Sequence, residues 1–246
     1  MSSSHPLVSI AAGLVVVLAA CSGDSDHVAP ADVGTGPHEV YVAIGSDQTV
    51  GTGLSRPLVE AWPRLLYRAT LDRSAVFVNA ATEGSTVAQA LEEQLPLALE
   101  LEPTLVTVWL NVNDLAAGVP AETYERQLAE LVRALRRGGQ TEVLVANIPP
   151  VAPTTTLPDS LSIEPDVQGA DEGAALDGAP SPPELSEAEV ARRVAAYNDA
   201  IARVVASDGA TLVDLHAAVT ATAAADGVHL TPEGHARVAE LFADAL

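Results

Sequence analysis

The chain has 246 residues, of which 48% are hydrophobic, so it is long and apolar enough for one domain with a sizeable core. Its formal net charge is -21, because 33 acidic residues outnumber 12 basic ones. A charge of this sign and size argues against a nucleic-acid or anionic-lipid partner, since both would repel it. The single cysteine excludes an intrachain disulfide.

The N-terminal residues predict a lipid-anchored protein of the bacterial envelope. Residues 7–20 form an apolar run of signal-peptide length that is short for a membrane span. The run ends in Leu-Ala-Ala before Cys21, which resembles a lipobox, in which the cysteine is lipidated and becomes the mature N-terminus. An ordinary signal peptide, or a buried helix with a chance cysteine, is the alternative. We expect a signal segment over residues 1–21, a flexible tether over 22–37 and a domain over 38–246 that faces outside the cytoplasm.

Strand and helix patterns alternate along the domain. Short apolar runs predict strands at residues 39–44, 75–79, 104–110, 142–147 and 210–214. Amphipathic spacing predicts helices over residues 57–69, 86–99 and 184–207, from Pro120 to Gly138, and from Thr231 onwards. In the helix over 86–99, the expected inward face is Val87, Leu91, Leu95 and Leu99. This alternation predicts an α/β domain with a five-stranded parallel sheet, covered by helices on both faces.

Residues 152–186 interrupt the alternation. The segment has no basic residue, and its acidic residues stand among proline, glycine, alanine and serine. This composition predicts a low-complexity surface insertion that does not order itself. A mobile lid over the site is the alternative, but few apolar residues are present to anchor one.

Four loops at the carboxyl ends of strands carry candidate site residues. Residues 45–51 follow the first strand, residues 79–86 the second and residues 111–114 the third. The fourth loop contains Asp226 and His229, a spacing that allows the carboxylate to orient the imidazole while the other ring nitrogen accepts a proton. Because parallel sheets place their sites at this edge, the four loops should meet.

These blocks, in this order, resemble the SGNH/GDSL hydrolase family from about Val40 to the C-terminus, leaving out the acidic insertion. The matching positions are Asn79 and Gly84, Asn113 with Asp114, and Asp226 with His229. The resemblance implies a flavodoxin-like three-layer α/β/α fold and hydrolysis of small-molecule, lipid or carbohydrate esters. It also implies that Gly84 and Asn113 stabilise the oxyanion, that His229 is the general base and that Asp226 orients it.

The first loop departs from the family pattern. The family has Gly-Asp-Ser with serine as the nucleophile, whereas this chain has Gly45-Ser46-Asp47. In one outcome Ser46 forms a hydrogen bond with His229 and becomes the acyl-enzyme nucleophile of an esterase. In the other, the ungapped match holds, Asp47 occupies the nucleophile position, and the fold binds a carbohydrate or lipid without turnover. The retained family residues favour the first outcome.

No metal or cofactor is expected. The histidines are dispersed, the only cysteine lies in the signal segment, and the chain has no glycine-rich phosphate-binding loop.

Overall fold

A parallel sheet forms the centre of the fold, in a computed structural model that describes residues 39–150, 186–218 and 229–246. The strand order is β2-β1-β3-β4-β5, and all neighbouring strands are parallel. The strands are β1 (Val40–Gly45), β2 (Val76–Asn79), β3 (Leu105–Trp109), β4 (Glu142–Ala146) and β5 (Thr211–Val213). The predicted α/β fold with a five-stranded parallel sheet is confirmed.

Helices connect these strands and cover the sheet. They are α1 (Asp47–Val50), α2 (Pro57–Glu60), α3 (Trp62–Thr70), α4 (Val87–Glu100), α5 (Val112–Ala116), α6 (Ala121–Arg136), α7 (Glu187–Asp208), α8 (Leu215–Ala218) and α9 (Pro232–Asp244). The three short helices α1, α5 and α8 each begin within two to three residues of a strand end and were not predicted, because four or five residues are too few to show helical periodicity.

The two faces of the sheet carry separate hydrophobic clusters. On β1, Val42 and Ile44 face a cluster that includes residues of α4, α6 and α7, whereas Tyr41 and Ala43 face a cluster formed with α3 and α9. This alternation follows from the period of two along a strand. In the second cluster the rings of Trp62 and Phe242 stack with centroids 4.2 Å apart. The sheet is therefore covered on both sides, as its apolar strands predict.

The helix predicted over residues 57–69 is two helices. α2 ends at Glu60, and Ala61 has an extended backbone with φ -63° and ψ 140° before α3 begins. Pro63 explains the break, since it lacks an N–H and its ring would clash with the carbonyl four residues earlier in a continuous helix. The break turns α3 onto the sheet, where Trp62 and Leu66 are fully buried.

The inward face of α4 differs from the prediction. The buried residues of this helix are Val87, Ala90, Gln94 and Ala98. Of the aliphatic residues predicted to be buried, Leu91 and Leu95 pack only at the edge of the cluster and Leu99 is 37% exposed. Small residues allow the helix to lie close to the sheet, and a glutamine that the predicted inward face did not include is buried with them.

Several sequence predictions lie outside the described residues. They are the signal segment with Cys21, the tether, the acidic insertion up to residue 185, and Asp226. Within the ranges that the structure describes, no helix has the length and apolar character needed to cross a bilayer.

We predict that Leu128→Ala lowers the free energy of unfolding by about 2–5 kcal/mol, because Leu128 is fully buried between α6 and the sheet and its truncation leaves a cavity. The matched control is Leu58→Ala, since Leu58 is 88% exposed and its truncation should change stability by less than about 0.5 kcal/mol. Urea denaturation followed by circular dichroism measures both. Equal losses for the two variants would contradict the placement of α6 in the core.

Candidate active site

The carboxylate of Asp47 lies where the loops after β1, β2 and β3 meet. Its Oδ2 accepts a hydrogen bond from the backbone N–H of Gly84 at 3.2 Å and another from the side-chain amide of Asn113 at 2.8 Å. Asn113 also donates to the carbonyl of Ser85 at 3.2 Å, which fixes the direction of its amide. The two groups expected to stabilise an oxyanion therefore converge on one anionic oxygen, and that oxygen belongs to Asp47.

The end of β1 aims Asp47 at these donors through a tight turn. A Cβ at Gly45 would lie 2.0 Å from Oγ1 of Thr49, so glycine is required where the strand passes under α1. The carbonyl of Ser46 accepts the N–H groups of Thr49 and Val50, which starts α1 at Asp47. This geometry makes Asp47 the first helical residue after the strand.

The hydroxyl of Ser46 does not take part in this arrangement. Ser46 is 7% exposed, its side chain does not cap α1, and its hydroxyl forms no hydrogen bond with His229 or any other residue in the described ranges. The residue of the first loop that contacts Gly84 and Asn113 is Asp47. The hydrogen bond expected between Ser46 and His229 is absent, and the assignment of the nucleophile position to Asp47 by the ungapped match stays a prediction.

Gly84 presents its N–H from a left-handed backbone. Its φ is +73°, and no atom lies within 4 Å of a Cβ built there, so the requirement for glycine is conformational rather than steric. The same loop is joined to α1 by Asn79, whose amide donates to the carbonyl of Thr49 at 2.8 Å and whose Oδ1 accepts the N–H of Ala81. The second loop is therefore fixed against the first at the point where Gly84 contacts Asp47.

Gln94 is a site-supporting residue that the sequence analysis missed. It is 1% exposed, and its amide pairs with both backbone groups of Gly45, accepting the N–H and donating to the carbonyl at 3.0 Å each. The same nitrogen donates to the hydroxyl of Ser85 at 3.0 Å. One side chain of α4 thus joins the first loop to the second. The available signal was a glutamine seven residues after Val87, on the same helical face.

Asp114 fixes the third loop against α4. It is fully buried, and its two carboxylate oxygens share the N–H of Val87 at 3.0 and 3.3 Å. Burial raises the pKa of Asp114 to about 6, against the opposing effect of the hydrogen bond from Val87. Because Asn113 precedes Asp114 and Gly84 lies three residues before Val87, this contact sets the spacing between the two donors.

The C-terminal loop lies against the first loop. The N–H of Leu230 donates to Oε1 of Gln48 at 3.1 Å, so the residue after His229 is bonded to the residue after Asp47. On the other side, a Cβ at Gly53 would lie 3.5 Å from the Cβ of His229. All four predicted loops therefore meet at one edge of the sheet. The role of Asp226 stays a prediction, because that residue lies outside the described ranges.

His235 supports the last helix instead of the site. It is fully buried, its Nδ1 accepts the backbone N–H of Trp62 at 3.3 Å, and burial lowers its pKa to about 4. Thr231 caps the same helix by accepting the N–H of Gly234, as predicted. Among the residues that the structure describes, no group of histidine, cysteine and carboxylate side chains is arranged to hold a metal ion.

The comparisons with known proteins agree on one kind of fold. A family model described as GDSL-like lipase/acylhydrolase matches residues 43–237. A solved lipase/acylhydrolase from Enterococcus faecalis is similar with a TM-score of 0.61 and 17% identity, over 84% of this chain and 94% of that one. The esterase EstA from Pseudoalteromonas sp., inhibited by monoethylphosphonate, is similar with a TM-score of 0.59 and 18% identity, over 84% of this chain and 96% of that one.

A third solved structure, a variant of an acetyl-xylooligosaccharide esterase from Geobacillus, has a TM-score of 0.58 and 18% identity, over 85% of this chain and 94% of that one. At such identities these structures show the fold alone. None of the curated proteins compared with this chain matches it.

We predict that Asp114 makes stability fall as pH rises through the window from about 4 to about 6. Its pKa is raised in the folded state above the unfolded value of about 3.9, so the folded state binds its proton more tightly and loses that advantage as the proton leaves. The contribution is at most about 3 kcal/mol, from a shift of about two pKa units.

The measurement is urea denaturation of the wild type and Asp114→Asn between pH 4 and pH 7. The amide keeps an acceptor for Val87 and cannot titrate, so the decline specific to Asp114 should disappear in the variant. An identical pH dependence in both proteins would contradict the prediction.

Proposed function

Because this chain belongs to the GDSL-like lipase/acylhydrolase family, we propose that its site binds an ester-like lipid or carbohydrate ligand beside Asp47 and does not form an acyl-serine. The observation that carries this proposal is the pair of hydrogen bonds from Gly84 and Asn113 to Oδ2 of Asp47. In an acyl-serine hydrolase these donors must receive the oxygen that becomes negative as the carbonyl is attacked. Here Oδ2 of the Asp47 carboxylate already accepts the hydrogen bonds of both donors.

The position of Asp47 opposes ester hydrolysis in two ways. A substrate carbonyl would have to displace the carboxylate from both donors, and losing even one such donor typically costs about a hundredfold to a thousandfold in turnover. A developing oxyanion beside a carboxylate would also be repelled by a charge of the same sign. Ser46 forms no hydrogen bond with His229, so among the described residues no general base contacts its hydroxyl.

A second candidate is a serine esterase in which the Asp47 side chain leaves the donors and Ser46 attacks. The observation in its favour is that Gly84 and Asn113 already converge on a single oxygen at 3.2 and 2.8 Å, so an oxyanion site is formed. This candidate requires the Asp47 side chain to rotate away from the two donors. It also requires the Ser46 hydroxyl to turn towards the bound ester. The proposed ligand class, small ester-bearing lipids or carbohydrates, is the same for both candidates and is supported by the family.

We also propose that a lipid on Cys21 anchors the domain in the bacterial cell envelope, facing outside the cytoplasm. The support is the apolar run of residues 7–20 and its Leu-Ala-Ala-Cys ending. A tether over residues 22–37 would give the domain reach from the membrane surface. The lipid would concentrate the site near membrane-bound ligands without any contact between the acidic domain and anionic headgroups.

We predict that a fluorophosphonate probe does not label the wild-type domain and that the domain does not hydrolyse p-nitrophenyl acetate above the rate of buffer. Asp47→Ser should gain labelling and hydrolysis, because it places a hydroxyl at the position that faces Gly84 and Asn113. Removing a serine nucleophile costs several orders of magnitude in related chemistry, so the gain should be at least about a hundredfold.

Two controls locate the reacting residue. Ser46→Ala should behave as the wild type does, and the double variant Asp47→Ser with Ser46→Ala should keep the label. Labelling of the wild type that is lost in Ser46→Ala would instead establish the serine esterase and overturn the proposal.

For the anchor, we predict that the full chain expressed in a bacterium incorporates labelled palmitate and sediments with membranes. Cys21→Ser should abolish both, because only a thiol accepts the diacylglyceryl group of a lipoprotein. Ser22→Ala is the matched control and should retain both. Palmitate incorporation that survives Cys21→Ser would show that the lipid, if any, is attached elsewhere.

A further inference from the structure

The second carboxylate oxygen of Asp47 has no partner in the site. Oδ2 is held by Gly84 and Asn113, whereas Oδ1 forms no hydrogen bond with any residue in the described ranges. The side chain is half-buried, so Oδ1 is both accessible and partly shielded from water. A carboxylate held by one oxygen, with lone pairs available on the other, is oriented as a nucleophile.

The chemistry of a carboxylate nucleophile depends on the carbon that it attacks. At an ester carbonyl it would form an anhydride and expel an alkoxide, which is a poorer leaving group than the carboxylate, so the attack reverses. At a saturated carbon bearing an anionic leaving group it forms an ordinary alkyl ester, which is stable. The residue at the nucleophile position is therefore mismatched to carboxylic esters and matched to alkyl compounds with good leaving groups.

We propose that Asp47 is the nucleophile of an alkyl-transfer hydrolysis whose substrates are small alkyl halides or alkyl sulfonates; this rests on the proposed function, which puts Asp47 at the centre of the site. In the first step a lone pair of Oδ1 forms a bond to the saturated carbon. The carbon–halogen or carbon–sulfonate bond breaks, and the halide or sulfonate leaves with its electron pair. The product is an alkyl ester of Asp47, and no oxidant or proton is consumed.

The second step uses the donors that Asp47 already contacts. Water gives a proton to the imidazole of His229 and attacks Cγ of the Asp47 ester, and the electrons of the carbonyl move to Oδ2. This oxygen then carries the negative charge, and Gly84 and Asn113 lie 3.2 and 2.8 Å from it. Such donors act best when they are positioned before the charge forms. Collapse breaks the bond from Cγ to Oδ1, and the alcohol leaves with the proton from His229. The carboxylic acid that remains on Asp47 loses its proton to water, which regenerates the carboxylate.

The placement of the C-terminal loop supports the role of His229. Leu230 is bonded to Gln48, directly after Asp47, and His229 packs beside Gly53 at the end of the first loop. The backbone beside His229 is thus held against the same short segment that carries the nucleophile. In an acyl-serine hydrolase a base activates the nucleophile first, whereas a carboxylate needs no activation, so here His229 acts only on water.

The test incubates the full domain with 1-bromobutane and measures bromide release. The wild type should release bromide at least about tenfold faster than Asp47→Asn, which keeps the shape of the side chain and cannot attack. Ser46→Ala is the matched control and should match the wild type. In His229→Gln the second step should stop, so that intact-mass measurement shows one butyl group and peptide mapping places it on Asp47.

A second experiment does not depend on the His229 variant: the wild type turns over the substrate in water that carries the heavy oxygen isotope. The isotope should enter the Asp47 carboxylate, because the oxygen of the first alcohol released comes from the protein. Bromide release that is equal in Asp47→Asn and the wild type, or butyl groups found only on other residues, would overturn the inference. In that case resistance of the wild type to the fluorophosphonate would still support the proposed function, whereas labelling of Ser46 would remove both.

Discussion

The contact on which this site depends is a carboxylate bound by two hydrogen-bond donors at the edge of a parallel sheet. Oδ2 of Asp47 receives the N–H of Gly84 and the amide of Asn113, and each donor comes from a different loop. A charged acceptor makes such bonds roughly twice as strong as neutral ones. The contact therefore holds the three loops together and, in the function that we propose, occupies the position of a substrate oxyanion.

The scaffold beneath the loops explains why this contact is possible. β1 lies between β2 and β3, so the loops after all three strands emerge side by side at one edge. Buried polar side chains then fix the spacing between them: Gln94 joins the loop after β1 to the loop after β2, and Asp114 joins the third loop to the start of α4. Each is buried with its polar groups bonded, as a low-dielectric interior requires.

In the function that we propose, fold and chemistry separate at one residue, Asp47. The family model matches residues 43–237, and the solved relatives share the sheet and its helices, yet a fold hosts whatever reaction its side chains allow. On the chemistry that we propose, a negative carboxylate in place of a neutral hydroxyl would change which carbon can be attacked and which oxygen the donors stabilise. The donors of Gly84 and Asn113 are compatible with either a serine or a carboxylate at this position, because they stabilise negative charge on any oxygen placed between them.

The sequence by itself determined the fold class and the residues that line the site. Apolar strands alternating with amphipathic helices are short-range patterns, and they placed every strand within one or two residues of its observed bounds. The resemblance to the family, and not these patterns, pointed to Gly84, Asn113 and the C-terminal histidine, because the family blocks keep their order along the chain.

Only the tertiary structure decided which residue of the first loop faces the donors. Ser46 and Asp47 are adjacent, and their directions depend on how the turn after Gly45 packs under Thr49, a contact that no local pattern encodes. The inward position of Gln94 was decided in the same way. Its burial is favourable only because the backbone of Gly45, 49 residues away in the chain, supplies both a donor and an acceptor.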